Sequence, residues 1–222
     1  MSILDQLFRD KDFYQKSLIR STASGMPTTQ SKGKVSAKRV FIDGNSAWKM
    51  KQHFVAFDVE TTGLSPQFDR IIELGAVLFE NRRPTARFST LVNPGMPVPA
   101  SATRVNHITN QMLENAPDEF TAFADLSSFL AEVLRGKTFL CAHNADFDTA
   151  FLMKALSRLG YDADIRYVDT LVLSRVYIRD VPDHRLSTVA GYFSIDTGSS
   201  HRAGDDAEVC GHIMCRLIDL LQ

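Results

Sequence analysis

The chain has 222 residues, of which 44% are hydrophobic, and a formal net charge of −1 from 25 basic and 26 acidic side chains. This length and balance predict one globular domain with an appendage, or two small domains, and exclude a positive field over the whole surface that would hold nucleic acid tightly. No apolar run approaches the roughly 20 residues needed to cross a bilayer, and residues 1–20 lack a signal-peptide core, so we expect a cytoplasmic protein without a membrane partner.

The first 51 residues are predicted to be an N-terminal extension, and residues 52–222 a separate domain. Residues 2–20 place apolar side chains near one side of a possible amphipathic helix. Residues 21–39 are rich in Ser, Thr, Gly and Lys, which is typical of a flexible basic linker.

From about residue 52, strand and helix patterns alternate, which predicts an α/β layer fold. The first strand is expected over Phe54–Thr61, followed by a hairpin that breaks near Asn81–Pro84. Further predicted elements, in chain order, are a helix over 117–136, a strand over 138–143, a helix over 145–160, a strand that becomes a helix at Asp169, a short helix over 186–193 and a terminal amphipathic helix over 204–221.

The segment FVAFDVETTGL, residues 54–64, places Asp58 and Glu60 on one face of an otherwise apolar strand, because side chains two residues apart in a strand point the same way. Two unpaired carboxylates in a partly buried position repel each other. One interpretation is a strand that simply emerges into solvent before a turn. The other is a polyvalent cation that neutralises both acids.

The segment HNADFD, residues 143–148, lies where a strand is predicted to give way to a helix. Its acids suit the positive end of a helix, with Asn144 as a cap. Asp148, however, precedes Phe151 and Leu152 by three and four residues and so shares their apolar face. We therefore expect Asp148 to point inward.

The segment HRAGDDA, residues 201–207, opens the terminal helix. Asp206 has helical spacing to the apolar side chains of that helix, whereas Asp205 has helical spacing to polar ones. Asp206 is therefore the predicted inward acid, and His201 beside it is a candidate general base. Four carboxylates from three segments match the arrangement in which two divalent cations support in-line phosphodiester hydrolysis.

In this order, DVETTGL, HNADFD and HRAGDDA resemble the three signature blocks of the DEDD exonucleases. Because it has a histidine at position 201, the chain most resembles the DnaQ-like branch of this family, typified by the proofreading subunit of bacterial DNA polymerase III. The resemblance implies a ribonuclease H-like fold, with a mixed five-stranded sheet flanked by helices. It also implies metal-binding and catalytic acids at Asp58, Glu60, Asp148 and Asp206, a general base at His201, and a seat for the terminal nucleotide at Thr61, Thr62, Gly63 and Leu64.

The activity implied by the resemblance is 3′→5′ exonuclease cleavage with two Mg²⁺ or Mn²⁺ ions, releasing nucleoside 5′-monophosphates. The expected substrate is the 3′ end of DNA, single-stranded by preference, in proofreading or repair. Trimming of RNA and a non-catalytic scaffold role beside a polymerase are the alternatives. Gln6-Leu7-Phe8 faintly resembles peptides that bind the sliding clamp, although packing of that helix on its own domain is the interpretation we favour. One departure from the family pattern is Gly204, where a bulky apolar residue is common.

Overall fold

The computed structural model describes residues 33–198 and 202–221. The predicted helix over 2–20, the Gln6-Leu7-Phe8 tripeptide and His201 lie outside these residues. The strands are β1 (Val35–Arg39), β2 (His53–Thr61), β3 (Ile71–Glu80), β4 (Arg83–Leu91), β5 (Phe139–Ala142) and β6 (Ala163–Asp169). The helices are α1 (Gly44–Gln52), α2 (Ala100–Asn106), α3 (Asn110–Leu113), α4 (Glu119–Phe129), α5 (Ala131–Leu134), α6 (Ala145–Arg158), α7 (Thr170–Tyr177), α8 (Leu186–Tyr192) and α9 (Ala203–Leu220).

The six described strands form one mixed sheet in the order β1-β6-β5-β2-β3-β4. Strands β1, β6, β5 and β2 are parallel, and the hairpin of β3 and β4 continues from β2 in antiparallel order. Parallel strands end at the same edge of a sheet. The acids at the end of β2, the start of α6 after β5 and the start of α7 after β6 therefore meet at one edge.

Helices cover both faces of the sheet. Alternate residues of β2 point to opposite faces, so Val55, Phe57 and Val59 pack under α4, α5 and α6. Phe54 and Ala56 pack on the other side, under α1, α7, α8 and α9. Asp58 and Glu60 have the same parity as Phe54, which places them on the face that carries α9.

The sheet has six strands, not the five that the resemblance implied. The additional strand is β1, which contains the last five residues of the predicted flexible linker. It pairs with β6 from Val35 to Arg39, and Val35 and Ala37 turn toward the core while Ser36 and Lys38 face outward. Helix α1 follows, with Asp43 and Ser46 in a capping box. The domain boundary at residue 52 stays a prediction, although residues 35–52 pack on the same sheet.

The order of elements beyond residue 52 otherwise confirms the α/β prediction. The predicted helix over 117–136 is divided at Leu130 into α4 and α5. The short helices α2 and α3 were not predicted. Across the described ranges, 33–198 and 202–221, no helix combines the length and the apolar character that a membrane span requires.

Candidate active site

Asp58 and Glu60 lie near the C-terminal end of β2. Each faces a residue of β3 across the antiparallel pair, Asp58 opposite Gly75 and Glu60 opposite Glu73. The pairing shifts between Glu60 and Thr61, where a bulge ends the regular ladder. The two carboxylates are thus held at the end of an otherwise apolar strand, where buried side chains give way to partly exposed ones.

Helix α9 brings Asp206 to the same place, because its first turn lies directly on β3. A Cβ atom built on Gly75 would be only 2.1 Å from the carbonyl carbon of Ala203, so no larger residue fits there without moving the helix. Carboxylate oxygens of Asp58, Glu60 and Asp206 all lie within 4.8 Å of one another. All three residues are partly buried.

Asp148 joins the group from α6. Its side chain is 3% exposed, and Oδ1 accepts the backbone N–H of Val59, between the two acids of β2, at 3.2 Å. Asn144 stands at the N-cap of α6 but makes no side-chain capping bond. The Asn144 N–H instead donates to Asp169 Oδ1 at 3.1 Å, so Asp169 fixes the start of α6. The structure therefore shows that Asp148 points inward, and it places Asp146 and Asp148 in the first turn of α6 as the helix-start interpretation expected, but without the Asn144 side-chain cap.

The protonation of this group reflects burial and mutual repulsion. Burial, followed by the charges of Asp148 and Glu60, raises the pKa of Asp58 well above its usual value. Burial, and then Glu73 and Asp206, raises the pKa of Glu60 to about 7. Burial also raises the pKa of Asp148 to about 8. The ionised cluster is therefore unfavourable without a compensating positive charge.

The donor atoms of the cluster fit a hard divalent cation. Mg²⁺ and Mn²⁺ prefer carboxylate oxygens, and four carboxyl groups from three elements converge here. A cation would remove both the repulsion and the cost of burying charge. The geometry thus favours the cation interpretation of Asp58 and Glu60 over a strand that runs out into solvent.

The two neighbouring aspartates of α9 have different surroundings. Asp206 faces the cluster, whereas Asp205 Oδ1 lies 2.5 Å from Arg87 Nη2 on the surface. The same guanidinium lies beside position 204, where a Cβ atom would be 2.5 Å from it, so a larger residue there would displace the flexible end of Arg87. His201 directly precedes Arg202, where the described chain resumes, and its placement stays a prediction.

The predicted binding site for the terminal nucleotide is a loop that is held by hydrogen bonds among its own residues. Thr61 Oγ1 donates to the Gly63 carbonyl at 2.6 Å, and Thr62 Oγ1 donates to Asp69 Oδ1 at 3.1 Å. Asp69 also accepts the backbone N–H of Ser65 at 2.8 Å. Leu64 projects from this frame and is 85% exposed, so it does not pack within the described turn.

Glu73 is an important residue that the sequence analysis did not single out. It is 5% exposed, and its Oε2 accepts the backbone N–H of Ala203 at 3.2 Å and lies 3.8 Å from Arg202 Nη1. Glu73 thereby anchors the start of the helix that carries Asp206. The available signal was the same one that exposed Asp58, an isolated acid within the apolar run IIELGAV.

Comparison with known proteins agrees with this geometry. The RNase_T model, described as "Exonuclease", matches residues 55–214. The epsilon subunit of DNA polymerase III from Treponema pallidum is 39% identical over 168 residues, covering 74% of this chain and 76% of that protein. A PolC-type DNA polymerase III from Caldanaerobacter subterraneus subsp. tengcongensis is 34% identical over 181 residues, covering 82% of this chain but only 13% of that protein.

Among solved structures, the zinc-bound form of an E. coli exonuclease I complex with single-stranded DNA superposes with a TM-score of 0.65. At 20% identity, over 77% of this chain and 41% of that one, this likeness concerns the fold. It confirms the ribonuclease H-like fold that the three motifs implied. The family match over most of the chain confirms the resemblance itself: the protein belongs to the RNase_T exonuclease family, the DnaQ-like 3′→5′ exonuclease domains.

Proposed function

We propose that this protein is a metal-dependent 3′→5′ exonuclease that hydrolyses terminal phosphodiester bonds of DNA and releases nucleoside 5′-monophosphates. The observation that carries the proposal is the convergence of Asp58, Glu60 and Asp206 oxygens within 4.8 Å at the end of a buried strand. Membership in an exonuclease family supports hydrolysis as the use of that cluster.

In this proposal, Asp58, Glu60, Asp148 and Asp206 hold two divalent cations, Mg²⁺ or Mn²⁺. The bound cations supply charge stabilisation for the phosphate and acidify water near it. The protein contributes rigid placement, because the four carboxyl groups are fixed by β2, α6 and α9 before the substrate arrives. Placement of this kind lowers the entropic cost of reaching the transition state.

His201 is the proposed general base. It takes a proton from the water whose oxygen attacks the terminal phosphorus. The bond between that phosphorus and the 3′ oxygen of the preceding nucleotide then breaks. The released nucleotide keeps the phosphate on its 5′ oxygen, and the shortened strand ends in a 3′ hydroxyl.

The loop from Thr61 to Leu64 is the proposed seat of the 3′-terminal nucleotide. The exposed Leu64 side chain beside the cluster offers an apolar contact for a base. DNA is the favoured substrate because the epsilon and PolC-type relatives are named as DNA polymerase components, and exonuclease I was solved with single-stranded DNA. Proofreading beside a separate polymerase, or repair, is the corresponding role, in the cytoplasm.

The experiment compares 3′-labelled and 5′-labelled single-stranded DNA, duplex DNA and RNA as substrates with Mg²⁺. Asp206→Asn is expected to abolish hydrolysis, while Asp205→Asn, its neighbour in the same turn of α9, retains it within about threefold. If the strand labelled at its 5′ end becomes shorter in single-nucleotide steps, the polarity of cleavage is 3′→5′. Faster hydrolysis of RNA would support the RNA-trimming alternative, and hydrolysis of no substrate by a folded wild-type protein would support the scaffold.

A further inference from the structure

A second surface with nucleic-acid chemistry lies away from the acidic cluster. A groove of about 610 Å³ runs between the outer strands β1 and β6 and the first turns of α1. We call it the basic groove and define it by Lys38, Phe41, Lys49 and Arg166, all of which line it. The protein as a whole carries a net charge of −1, so a local concentration of cations is a departure from its average surface.

Three cations of the basic groove, Lys38, Lys49 and Arg166, have no acidic partner among the described residues, whereas a fourth, Arg39, pairs with Asp146. Lys38 and Arg166 are neighbours across the β1–β6 pair, and both are exposed, as is Lys49 on α1. Within residues 33–198 and 202–221, none of these three side chains forms an ion pair or a hydrogen bond. They are thus available to a ligand with negative charges spaced along a surface.

The two acids that line the groove are already engaged. Asp43 accepts the Ser46 N–H at 2.7 Å as the cap of α1. Asp164 accepts the Ser36 hydroxyl at 2.8 Å. A hydrogen bond from a neutral donor does not cancel the charge of an acid, so the groove has three unpaired cations, Lys38, Lys49 and Arg166, against these two acids, which leaves a small excess of positive charge.

An exposed aromatic side chain accompanies the cations. Phe41 is 80% exposed within the groove, and Trp48 of α1, which does not line the groove, is 62% exposed. A single exposed aromatic ring is ordinary on a protein surface, but within a positive groove it offers a face on which a base can stack. A positive groove with exposed aromatic rings is the combination that binds single-stranded nucleic acid, through the phosphate backbone and through base stacking.

The position of the groove suits a strand whose end lies in the acidic cluster. Arg39 also lines the groove, and its Nη2 lies 2.9 Å from Asp146 Oδ2 in the first turn of α6, two residues before Asp148. Strand β1 is three places from β2 in the sheet order, a lateral separation of about 14 Å at the usual strand spacing. A dinucleotide in the cluster would not reach the groove, whereas a longer strand would.

We propose that the basic groove binds the backbone of single-stranded nucleic acid on the 5′ side of the bond that is cut. The direction of the strand rests on the proposed exonuclease function, but binding in the groove does not. The groove would then retain a long strand between successive cuts without contributing to the chemical step.

The test measures binding of a fluorescent single-stranded oligonucleotide of about 20 residues, by anisotropy in EDTA, over a series of salt concentrations. Each phosphate contact contributes about 0.7 to the slope of log affinity against log salt for single strands. Lys38→Gln/Lys49→Gln is therefore expected to reduce the slope by about 1.4 and to weaken binding about 20-fold at 0.1 M salt. The matched control is Lys137→Gln/Arg216→Gln, which also removes two exposed cations and is expected to change neither quantity.

Phe41→Ala provides a second, independent readout. Loss of one stacking contact is expected to weaken binding at least about fivefold while the salt slope stays unchanged. Circular dichroism verifies that each variant is folded. An unchanged affinity and slope in the lysine variant, an equal loss in the control pair, or no binding by the wild type would each overturn the proposal.

Hydrolysis of a dinucleotide, measured on the same proteins with Mg²⁺, separates this proposal from the proposed function. We expect Lys38→Gln/Lys49→Gln to cleave the dinucleotide at the wild-type rate, because the cluster is intact. A comparable fall in dinucleotide cleavage would overturn the assignment of the groove to the distal strand. Failure of the wild type to cleave any substrate would refute the proposed exonuclease function. The binding measurement in EDTA would still show whether the basic groove binds single-stranded nucleic acid.

Discussion

Replacing Glu60 with glutamine should make the metal-free protein more stable, while it removes a ligand from the site. Glutamine has nearly the shape of glutamate, and it can still accept the hydrogen bond that the Asn106 side chain gives to Glu60. What disappears is a carboxylate surrounded by Glu73 and Asp206. The substitution therefore isolates the electrostatic cost of assembling the cluster.

The size of the gain follows from the pKa of Glu60, which rises from 4.5 to about 7 on folding. At about 1.4 kcal/mol per pKa unit, this rise corresponds to roughly 3 kcal/mol of lost stability once the group is ionised. Coulomb's law gives a similar energy. Two unit charges at 4.8 Å, the largest separation between the clustered oxygens, repel by roughly 3.5 kcal/mol at an effective dielectric constant of about 20. Because Glu60 is partly exposed and water screens it, we expect about 1–3 kcal/mol.

The pH dependence has a definite sign. Because the folded state holds this proton more tightly than the unfolded state, stability falls as the pH rises from about 4.5 to about 7. Glutamine has no proton to lose, so the gain from Glu60→Gln should be near zero at the lower pH and complete at pH 8. Saturating Mg²⁺ should shrink the gain at pH 8, because the cation stabilises the wild type more than the variant.

Urea unfolding followed by circular dichroism, in EDTA and in Mg²⁺, measures these differences. The matched control is Glu114→Gln, an exposed glutamate just after α3, which should leave stability within about 0.5 kcal/mol at each pH. The reasoning would be refuted if Glu60→Gln were no more stable than the wild type in EDTA at pH 8. It would also be refuted by a gain of equal size at pH 4.5, since that gain would not be electrostatic.

Substitutions at three further positions test the chemistry of the site and the contacts that hold it in place. Asp148→Asn keeps an acceptor for the Val59 N–H, so the fold should persist by circular dichroism while Mg²⁺-dependent hydrolysis is lost. His201→Ala should lower kcat by about 10²- to 10⁴-fold in single-turnover assays at neutral pH; an unchanged rate would remove His201 from the mechanism. Glu73→Ala should lower kcat by about 10- to 100-fold and weaken Mn²⁺ binding, because the Ala203 N–H loses its acceptor and Asp206 shifts. Glu73→Gln, which can still accept that bond, should restore most of both quantities, and equal losses in the two variants would contradict a positioning role.

The parts of the site that the sequence predicted are those encoded by local periodicity. A strand repeats every two residues, which puts Asp58 and Glu60 on one face. A helix repeats every 3.6 residues, which separates Asp206 from Asp205 and turns Asp148 toward the core. In each case the apolar neighbours that define the face lie within a few positions of the acid.

The parts that were missed depend on partners distant in sequence. Strand β1 has only two inward side chains, and its identity as a strand comes from pairing with β6, whose residues lie 128 positions later. Glu73 is recognisable as an isolated acid in an apolar run, but its role depends on Ala203, 130 positions away, and cannot be read from its neighbours. The space that Arg87 takes beside Gly204 is likewise invisible until β4 and α9 are brought together.

The anchoring of α9 brings several acids together in one place. The N-terminus of a helix carries partial positive charge, which favours carboxylates in the first turn, and here Glu73 accepts an N–H from that turn. This bond holds Asp206 near Glu60, while Glu73, opposite Glu60 in the β2–β3 pair, is a fifth carboxyl group beside the four of the cluster, and in addition to burial both raise the pKa of Glu60 by repulsion. We therefore expect docking of α9 and cation binding to favour each other, because a cation neutralises the charge that docking concentrates. Mg²⁺ should accordingly slow hydrogen exchange in the first turns of α9 more than in β4, and equal protection of both would argue against this linkage.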